Sequence, residues 1–397
     1  MSRSAWDLPL VVAGAGIGGL TAALCLARAG KRVALLEKAP VIEEVGAGLQ
    51  IAPNAGRILQ DLGLTPALDE AGLRPEAIVV RRASDGTELS RVPLLGATER
   101  FGAPFRLFHR ADLQNLLLEA AQDSETIAIR TDARVGDFEE EDEKVFLRVH
   151  GAAGPEDMEA AGLVGADGVR SSVRAMLFRD ERDAPFYSGN MAWRALLPAE
   201  AAPKALREKA VNLWLGRDAH VVHYPLRGGE IVNAVVIIED GDVEPPATEP
   251  TQRGASLLDA ADFERCASPL RELVASCDSW RRWPLWGRPA LRSWGRGAVT
   301  LLGDAAHPMV PFLAQGAAQA IEDAEALGRA FADGASPATA LARYERARIS
   351  RATKVQTASR RQGRFAHAGF PMAQARDVVM SLLGGRGMLE RNAWLYR

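Results

Sequence analysis

The sequence predicts an α/β protein: a Rossmann-like nucleotide-binding domain, a mainly antiparallel β-sheet layer and a C-terminal helical region. Three observations support this. A complete βαβ pattern opens the chain. Strand periodicity replaces helical periodicity over residues 180–286, and six of the eight tryptophans fall between Trp193 and Trp294. Residues 303–326, GDAAHPMVPFLAQGAAQAIEDAEA, read as a strand end, an irregular crossing and a helix start.

The βαβ pattern begins with an apolar run at residues 8–13 that leads into Gly14-Ala15-Gly16-Ile17-Gly18-Gly19. Ile17, Leu20, Leu24 and Ala27 recur at helical spacing, Gly30 ends the helix, and residues 32–36 give a second buried strand closed by Glu37. Gly14, Gly16 and Gly19 permit a tight turn and the close approach of a pyrophosphate to the helix N-terminus. Glu37 is placed to accept hydrogen bonds from an adenosine ribose. The unit predicts a dinucleotide and does not distinguish FAD from NAD.

Residues 41–57 follow, where Gly46 and Gly48 are expected to interrupt regular structure in a loop that either passes beside a cofactor or simply connects. Residues 78–93 read as a hairpin turning at Asp85-Gly86. Arg110 precedes a helical pattern of Leu113, Leu116 and Leu117, and is either a phosphate ligand or a surface charge. Residues 135–138 and 145–149 pair around an acidic, solvated tip. Residues 163–174, LVGADGVRSSVR, put Asp167, Arg170 and Arg174 at the C-terminal edge of the parallel sheet, where ligands bind; a structural turn is the competing reading.

In the β layer, strands are expected at residues 211–215, 220–226 and 231–238, and an exposed proline-rich loop at 240–253. Alternation puts His220, Val222 and Tyr224 on one face and Val221 and His223 on the other. The first face either lines an aromatic pocket or is an ordinary strand face.

In residues 303–326, Pro308 and Pro311 forbid a regular helix between them, and the helix should start near residues 315–318. Ala314, Gly316, Ala317 and Ala318 let a ligand approach the backbone. With no basic side chain in the segment, an anion there is held by the helix dipole, which suits a planar heterocycle that gains charge on reduction. Asp304 suits a sugar or polyol hydroxyl. A plain strand-to-helix corner is the alternative. The basic pattern at residues 338–364 marks a membrane surface, an attractor of phosphorylated cofactor or, more simply, a solvated helix paired with acids elsewhere.

With 397 residues there is room for two or three domains, and a net charge of −3 argues against nucleic acid as a partner. Cys25, Cys266 and Cys277 form no CxxC pair and no short spacing with histidine, so neither disulfides nor a metal site are expected. No run approaches the roughly 20 apolar residues of a membrane span, and Gly14 leaves no room for a signal-peptide core, so a cytoplasmic protein without an integral membrane segment is expected.

Taken together, GAGIGG with Glu37, GADGVRSSVR and GDAAHPMVPFLAQGA, in that order, resemble the single-component FAD-dependent aromatic hydroxylases. That group includes salicylate, 3-hydroxybenzoate and 6-hydroxynicotinate hydroxylases. EVGAGLQIAPNA, HRADL and HYPL are supporting matches, and the resemblance spans nearly the whole chain. It implies a para-hydroxybenzoate hydroxylase-like fold, with residues 1–75, 97–180 and 286–335 binding FAD, 76–96 and 181–285 forming the substrate layer, and 336–397 a helical region. It implies non-covalent FAD held by Gly14, Gly16, Gly19, Glu37, Arg110, Asp167, Asp304, Gly316 and Ala317. NADH or NADPH is then a transient co-substrate, and dioxygen hydroxylates a small aromatic acid through a flavin hydroperoxide. His220 and Tyr224 match an active-site histidine and tyrosine. Gln50, Pro311 and Phe312 stand where some relatives carry histidine or glutamine, which points away from the 3-hydroxybenzoate and 6-hydroxynicotinate enzymes toward a salicylate-like substrate. Two other readings remain: a flavin monooxygenase of a purine or alkene, and a non-catalytic flavin-binding redox sensor. A homodimer is compatible with the sequence, which does not fix the oligomeric state.

Overall fold

The computed structural model describes residues 8–42, 48–141, 143–180, 183–241, 265–277 and 279–397. Short apolar runs that can be buried on both faces build a six-stranded sheet. Its order is Gly295–Arg296, Val299–Leu301, Gly162–Gly165, Leu10–Ala13, Val33–Leu36 and Ile127–Arg130, parallel except for the first pair. Every residue of Leu10–Ala13 and Val33–Leu36 is buried. Parallel pairing brings the C-terminal ends of the strands to one edge, and the segments after residues 13, 36, 165 and 301 all leave from it.

Helix Ile17–Arg28 leaves the first strand through the glycine turn and packs against helix Gly316–Phe331. The two approach closely at Gly328, where a Cβ would lie 2.7 Å from the Cys25 carbonyl oxygen. Between the last long strand and Gly316 the chain makes two short 3-10 turns, Gly303–Ala305 and Pro311–Leu313, in keeping with the prolines.

A seven-stranded sheet forms the second layer. Its order is Arg281–Gly287, Phe186–Pro198, Ile231–Glu239, Ala219–Leu226, Ala210–Leu215, Ala77–Arg82 and Glu88–Pro93, antiparallel except between Ala210–Leu215 and Ala77–Arg82. Its register separates two rows of side chains. Trp214, Val221, Val236 and Trp193 are successive cross-strand partners on one face, and Leu213, Val222, Val235 and Arg194 on the other. The first row packs with Trp280 into a core beneath helix Ser268–Ala275. These tryptophans therefore fill the far face, and the face that carries His220, Val222 and Tyr224, with Arg194, Val235 and Ile237, lines a cleft.

Two expectations change. Gly48 does not interrupt regular structure but begins strand Gly48–Ile51, which pairs with Arg106–His109, whereas Gly46 lies outside the described residues. The basic helix, Pro337–Ala366, does pair with acids elsewhere, but its central contact is buried. Arg348 meets Glu322 at 2.6 Å and Asp323 at 2.7 Å, and Arg351 meets Glu322 at 2.6 Å. The charges thereby bolt this helix to Gly316–Phe331. Of the expected 240–253 loop, residues 242–253 lie outside the described residues. The chain ends in helix Met372–Tyr396, whose Tyr396 ring meets Phe105 edge-on at 4.9 Å.

Candidate active site

A cleft of about 660 Å³ runs between the C-terminal edge of the parallel sheet and one face of the seven-stranded sheet. At its nucleotide end Gly14 adopts φ +107°, and a Cβ on it would lie 2.5 Å from the Ala166 carbonyl oxygen. A Cβ on Gly19 would lie 1.8 Å from the Gly14 oxygen, whereas one on Gly16 would meet no protein atom within 4 Å. Gly14 and Gly16 line the cleft; Gly19 does not, so it shapes the turn from behind and differs in this from the expected direct contact. Glu37 also lines the cleft, and its carboxylate braces the turn by accepting from Ala15 N at 2.8 Å and Ala39 N at 2.9 Å. Gln114 donates to the Ala15 carbonyl at 3.0 Å.

Asp167 braces a turn and also lines the cleft. Its Oδ2 accepts from the backbone N–H groups of Ser172 and Val173 at 2.7 and 3.2 Å, while the buried Oδ1 has no protein partner. Arg170 lines the cleft too. Arg174 is corrected: it is fully buried away from it, paired with Asp183 and donating to the carbonyls of Ala305 and Ala306.

Arg110, Asp304, Gly316 and Ala317 also line the cleft. The surrounding protein raises the Asp304 carboxyl above the ordinary aspartate value, and the charges of His307 and Arg110 oppose that rise. Beneath it, burial pushes Asp323 up, but His307 and Arg348 outweigh this and hold it down at about 2.

The far wall is one face of the seven-stranded sheet, and His220, Val222 and Tyr224 all lie on it, as alternation predicts. Burial, with His367 beside it, holds the substrate-free His220 imidazole down at about 3, well below the ordinary value of 6.5 assumed from sequence. Burial also raises the Tyr224 phenol, so Tyr224 remains a hydrogen-bond donor. Its ring lies against the backbone of Gly48, where a Cβ would come within 2.6 Å of Tyr224 Cε2. Gln50 and Pro311 line the cleft. Phe312 does not, and packs behind His220 with 5.5 Å between ring centroids. Sequence reasoning missed Arg194, which lines the cleft and lies near enough to Tyr224 to lower its phenol electrostatically. The available signal was a lone arginine within the otherwise apolar run from Met191 to Leu197.

The FAD binding domain family matches residues 7–359. The chain is 38% identical over 392 residues to 3-hydroxybenzoate 6-hydroxylase 1 of Aquipseudomonas alcaligenes, covering 98% of this chain and 97% of that protein. It is also 38% identical to 3-amino-4-hydroxybenzoate 2-monooxygenase PtnB3 of Streptomyces platensis, covering 98% and 95%. The chain belongs to the FAD-dependent aromatic hydroxylases. Among solved structures, a salicylate hydroxylase substrate complex superimposes with a TM-score of 0.83 at 25% identity, over 99% of this chain and 96% of that one.

The protein is thus an FAD-dependent flavoprotein monooxygenase, and its cleft fits that cofactor. The space at Gly16, the unpartnered Asp167 Oδ1 and the small residues at the Gly316 helix start are the openings that a pyrophosphate, polyol and heterocycle require. In this hydroxylase the cofactor end and the His220 wall belong to one continuous cleft. Among the described residues no group of histidine, cysteine, aspartate or glutamate could hold a metal ion, and no helix is long and apolar enough to cross a membrane.

Proposed function

We propose that this hydroxylase acts on a small phenolic carboxylic acid of the hydroxybenzoate class, with NADH or NADPH as reductant and dioxygen as oxidant. The observation that carries this is the grouping of His220, Tyr224 and Arg194 on the one sheet face that walls the cleft. The two relatives named above have benzoates with a ring hydroxyl in their names, and the neighbouring solved structure is a salicylate hydroxylase. Arg194, on the same wall, offers a carboxylate a cation. Pro311 supplies no side-chain donor, so substrate recognition falls to the sheet wall rather than to the flavin loop.

FAD, when bound, supplies electron transfer from the nicotinamide and the activation of dioxygen. Gly14, Gly16 and Glu37 hold its adenosine end, Arg110, Asp167 and Asp304 its middle, and Gly316 and Ala317 its ring. Residues 1–75, 97–180 and 286–335 form the cofactor domain in this reading, and 76–96 and 181–285 the substrate layer. His220, neutral at neutral pH, accepts the phenolic proton, and a negative ring beside it favours the protonated imidazole. Tyr224 orients the ring as a donor. Val222, Val235 and Ile237 keep water from the reacting face. Oxygen and NADH consumption across a panel of hydroxybenzoates, aminohydroxybenzoates and unsubstituted benzoate, with product identification, tests the proposal. Stimulation confined to the phenolic acids with a hydroxylated product is expected; equal stimulation by unsubstituted benzoate would contradict it.

A further inference from the structure

His220 and His367 come from distant parts of the chain, and their rings meet inside the protein. His220 Nδ1 lies 2.7 Å from His367 Nε2, with ring centroids 5.0 Å apart. His367 caps the C-terminal end of helix Pro337–Ala366, and both imidazoles are buried. Beyond them, His367 Nδ1 lies 3.5 Å from Oε2 of the exposed Glu239. The three groups form a line from the cleft to solvent. Phe312 packs against both imidazoles, with centroids 5.5 Å from each. The backbone fixes the outer end: Asp218 N donates to the His367 carbonyl at 3.1 Å, and Glu239 N donates to the Asp218 carbonyl at 2.8 Å.

Two neutral imidazoles pair only when one donates N–H and the other accepts. If His220 Nδ1–H donates to His367 Nε2, His220 keeps a lone pair on Nε2 and His367 carries its proton on Nδ1, toward Glu239. This tautomer set leaves each ring ready to receive a proton on one side and pass one on from the other.

We propose that His367 is a relay and positioning residue that carries the substrate's phenolic proton from His220 to Glu239 and solvent. The proposal rests on the reading of His220 as the proton acceptor. The phenolic O–H bond breaks and an N–H bond forms at His220 Nε2. The Nδ1 proton of His220 passes to Nε2 of His367, and the Nδ1 proton of His367 passes to the Glu239 carboxylate, which gives it to water. Both imidazoles end neutral with reversed tautomers, the substrate is left as phenolate, and no electrons change hands. The reverse flow reprotonates the product and restores the starting tautomers. The charged or titratable groups facing His367 are His220, Glu239, Asp218 and Arg376, the last bonded to Asp377. Burial lowers both imidazoles, and Glu239 and Asp218 draw His367 back up, so a proton arriving at His220 is drawn outward.

The test is stopped-flow mixing of the FAD-loaded enzyme with 3-hydroxybenzoate, and with salicylate in a second series. Phenolate absorbance and proton release to an indicator dye in weak buffer are followed together. His220→Ala should abolish phenolate formation. His367→Gln keeps a hydrogen-bonding amide but cannot relay. It should hold FAD and bind the acid within about twofold of wild type, yet release the proton at least about tenfold more slowly. Imidazole should restore part of the rate in His367→Ala. Glu239→Gln changes an exposed side chain, leaves the fold intact and should slow release severalfold. The relay is overturned if phenolate formation is lost in His220→Ala while both His367→Gln and Glu239→Gln release protons at the wild-type rate. Phenolate formation that survives His220→Ala would instead overturn the acceptor reading, and the relay with it.

Discussion

At the residue scale, the two histidines of strand Ala219–Leu226 make the sharpest comparison. His220 faces the cleft, whereas His223 faces the opposite core and stacks on Trp214 with centroids 6.3 Å apart. We expect His220→Ala to lower the rate of ring hydroxylation at least about tenfold with FAD still bound, and His223→Ala to leave that rate nearly unchanged. Single-turnover hydroxylation rates of the two variants check this; a silent His220→Ala beside a damaging His223→Ala would reverse the assignment. Arg194→Met should raise KM for a carboxylated ring at least about tenfold, the loss of roughly 1.5–3 kcal/mol of charged hydrogen bonding, with a smaller effect on kcat. Steady-state kinetics separate the two parameters. Alternation made the His220 face legible because a strand period of two needs no tertiary information. His367 was not legible as a partner of His220, since only the packing of a distant helix end brings it there.

At the element scale, the glycine turn allows two functions of one motif to be separated. Gly16 has extended-region φ of −72° and open space beyond its Cα, so Gly16→Val should fold normally and obstruct the cofactor. Its dissociation constant for FAD should rise at least about tenfold, equivalent to about 1.4 kcal/mol. Gly19→Ala drives a methyl into the Gly14 carbonyl, so it should lower the melting temperature of the FAD-free protein as well. Flavin titration and thermal unfolding of both FAD-free variants provide the check. The βαβ unit was legible because strand, glycine turn, helix and acid occur in one unbroken stretch. Strand Gly48–Ile51 was not, because its partner Arg106–His109 is remote and pairing outweighs the low strand propensity of glycine. Phe312 was misassigned for a related reason: the 3-10 turn at Pro311–Leu313 turns Pro311 into the cleft and Phe312 away from it.

At the scale of the whole molecule, buried titratable groups govern acid stability. Burial, as the largest cause, holds His220 and His223 at about 3 in the folded protein, against an ordinary 6.5. Below the ordinary value the unfolded chain binds protons that the native protein does not, so stability is full above it and falls as pH drops from 6.5 toward 3. Asp323, held at about 2, extends the loss below the ordinary aspartate value of 3.8. Chemical denaturation across this range should show stability decreasing with acid, and His223→Gln should flatten the upper part of the curve; an unchanged slope would contradict the assignment. Arg348→Met strips a buried cation from Glu322 and Asp323 and should cost about 3–5 kcal/mol at neutral pH. The layer architecture was legible from the switch in periodicity near residue 180, but the side taken by the tryptophans was not. Composition records how many aromatics a layer contains, and only register says which face they occupy. The central claim is that a phenolic acid bound against the His220 wall takes an oxygen atom from dioxygen. Turnover of 3-hydroxybenzoate, salicylate and an aminohydroxybenzoate under isotopically labelled dioxygen, with NADH consumption and product mass followed together, tests it most directly. The account predicts that at least one of these acids stimulates NADH consumption and gains a single labelled hydroxyl in proportion to it. NADH consumption unaffected by every acid, or balanced entirely by hydrogen peroxide with no labelled product, would contradict it.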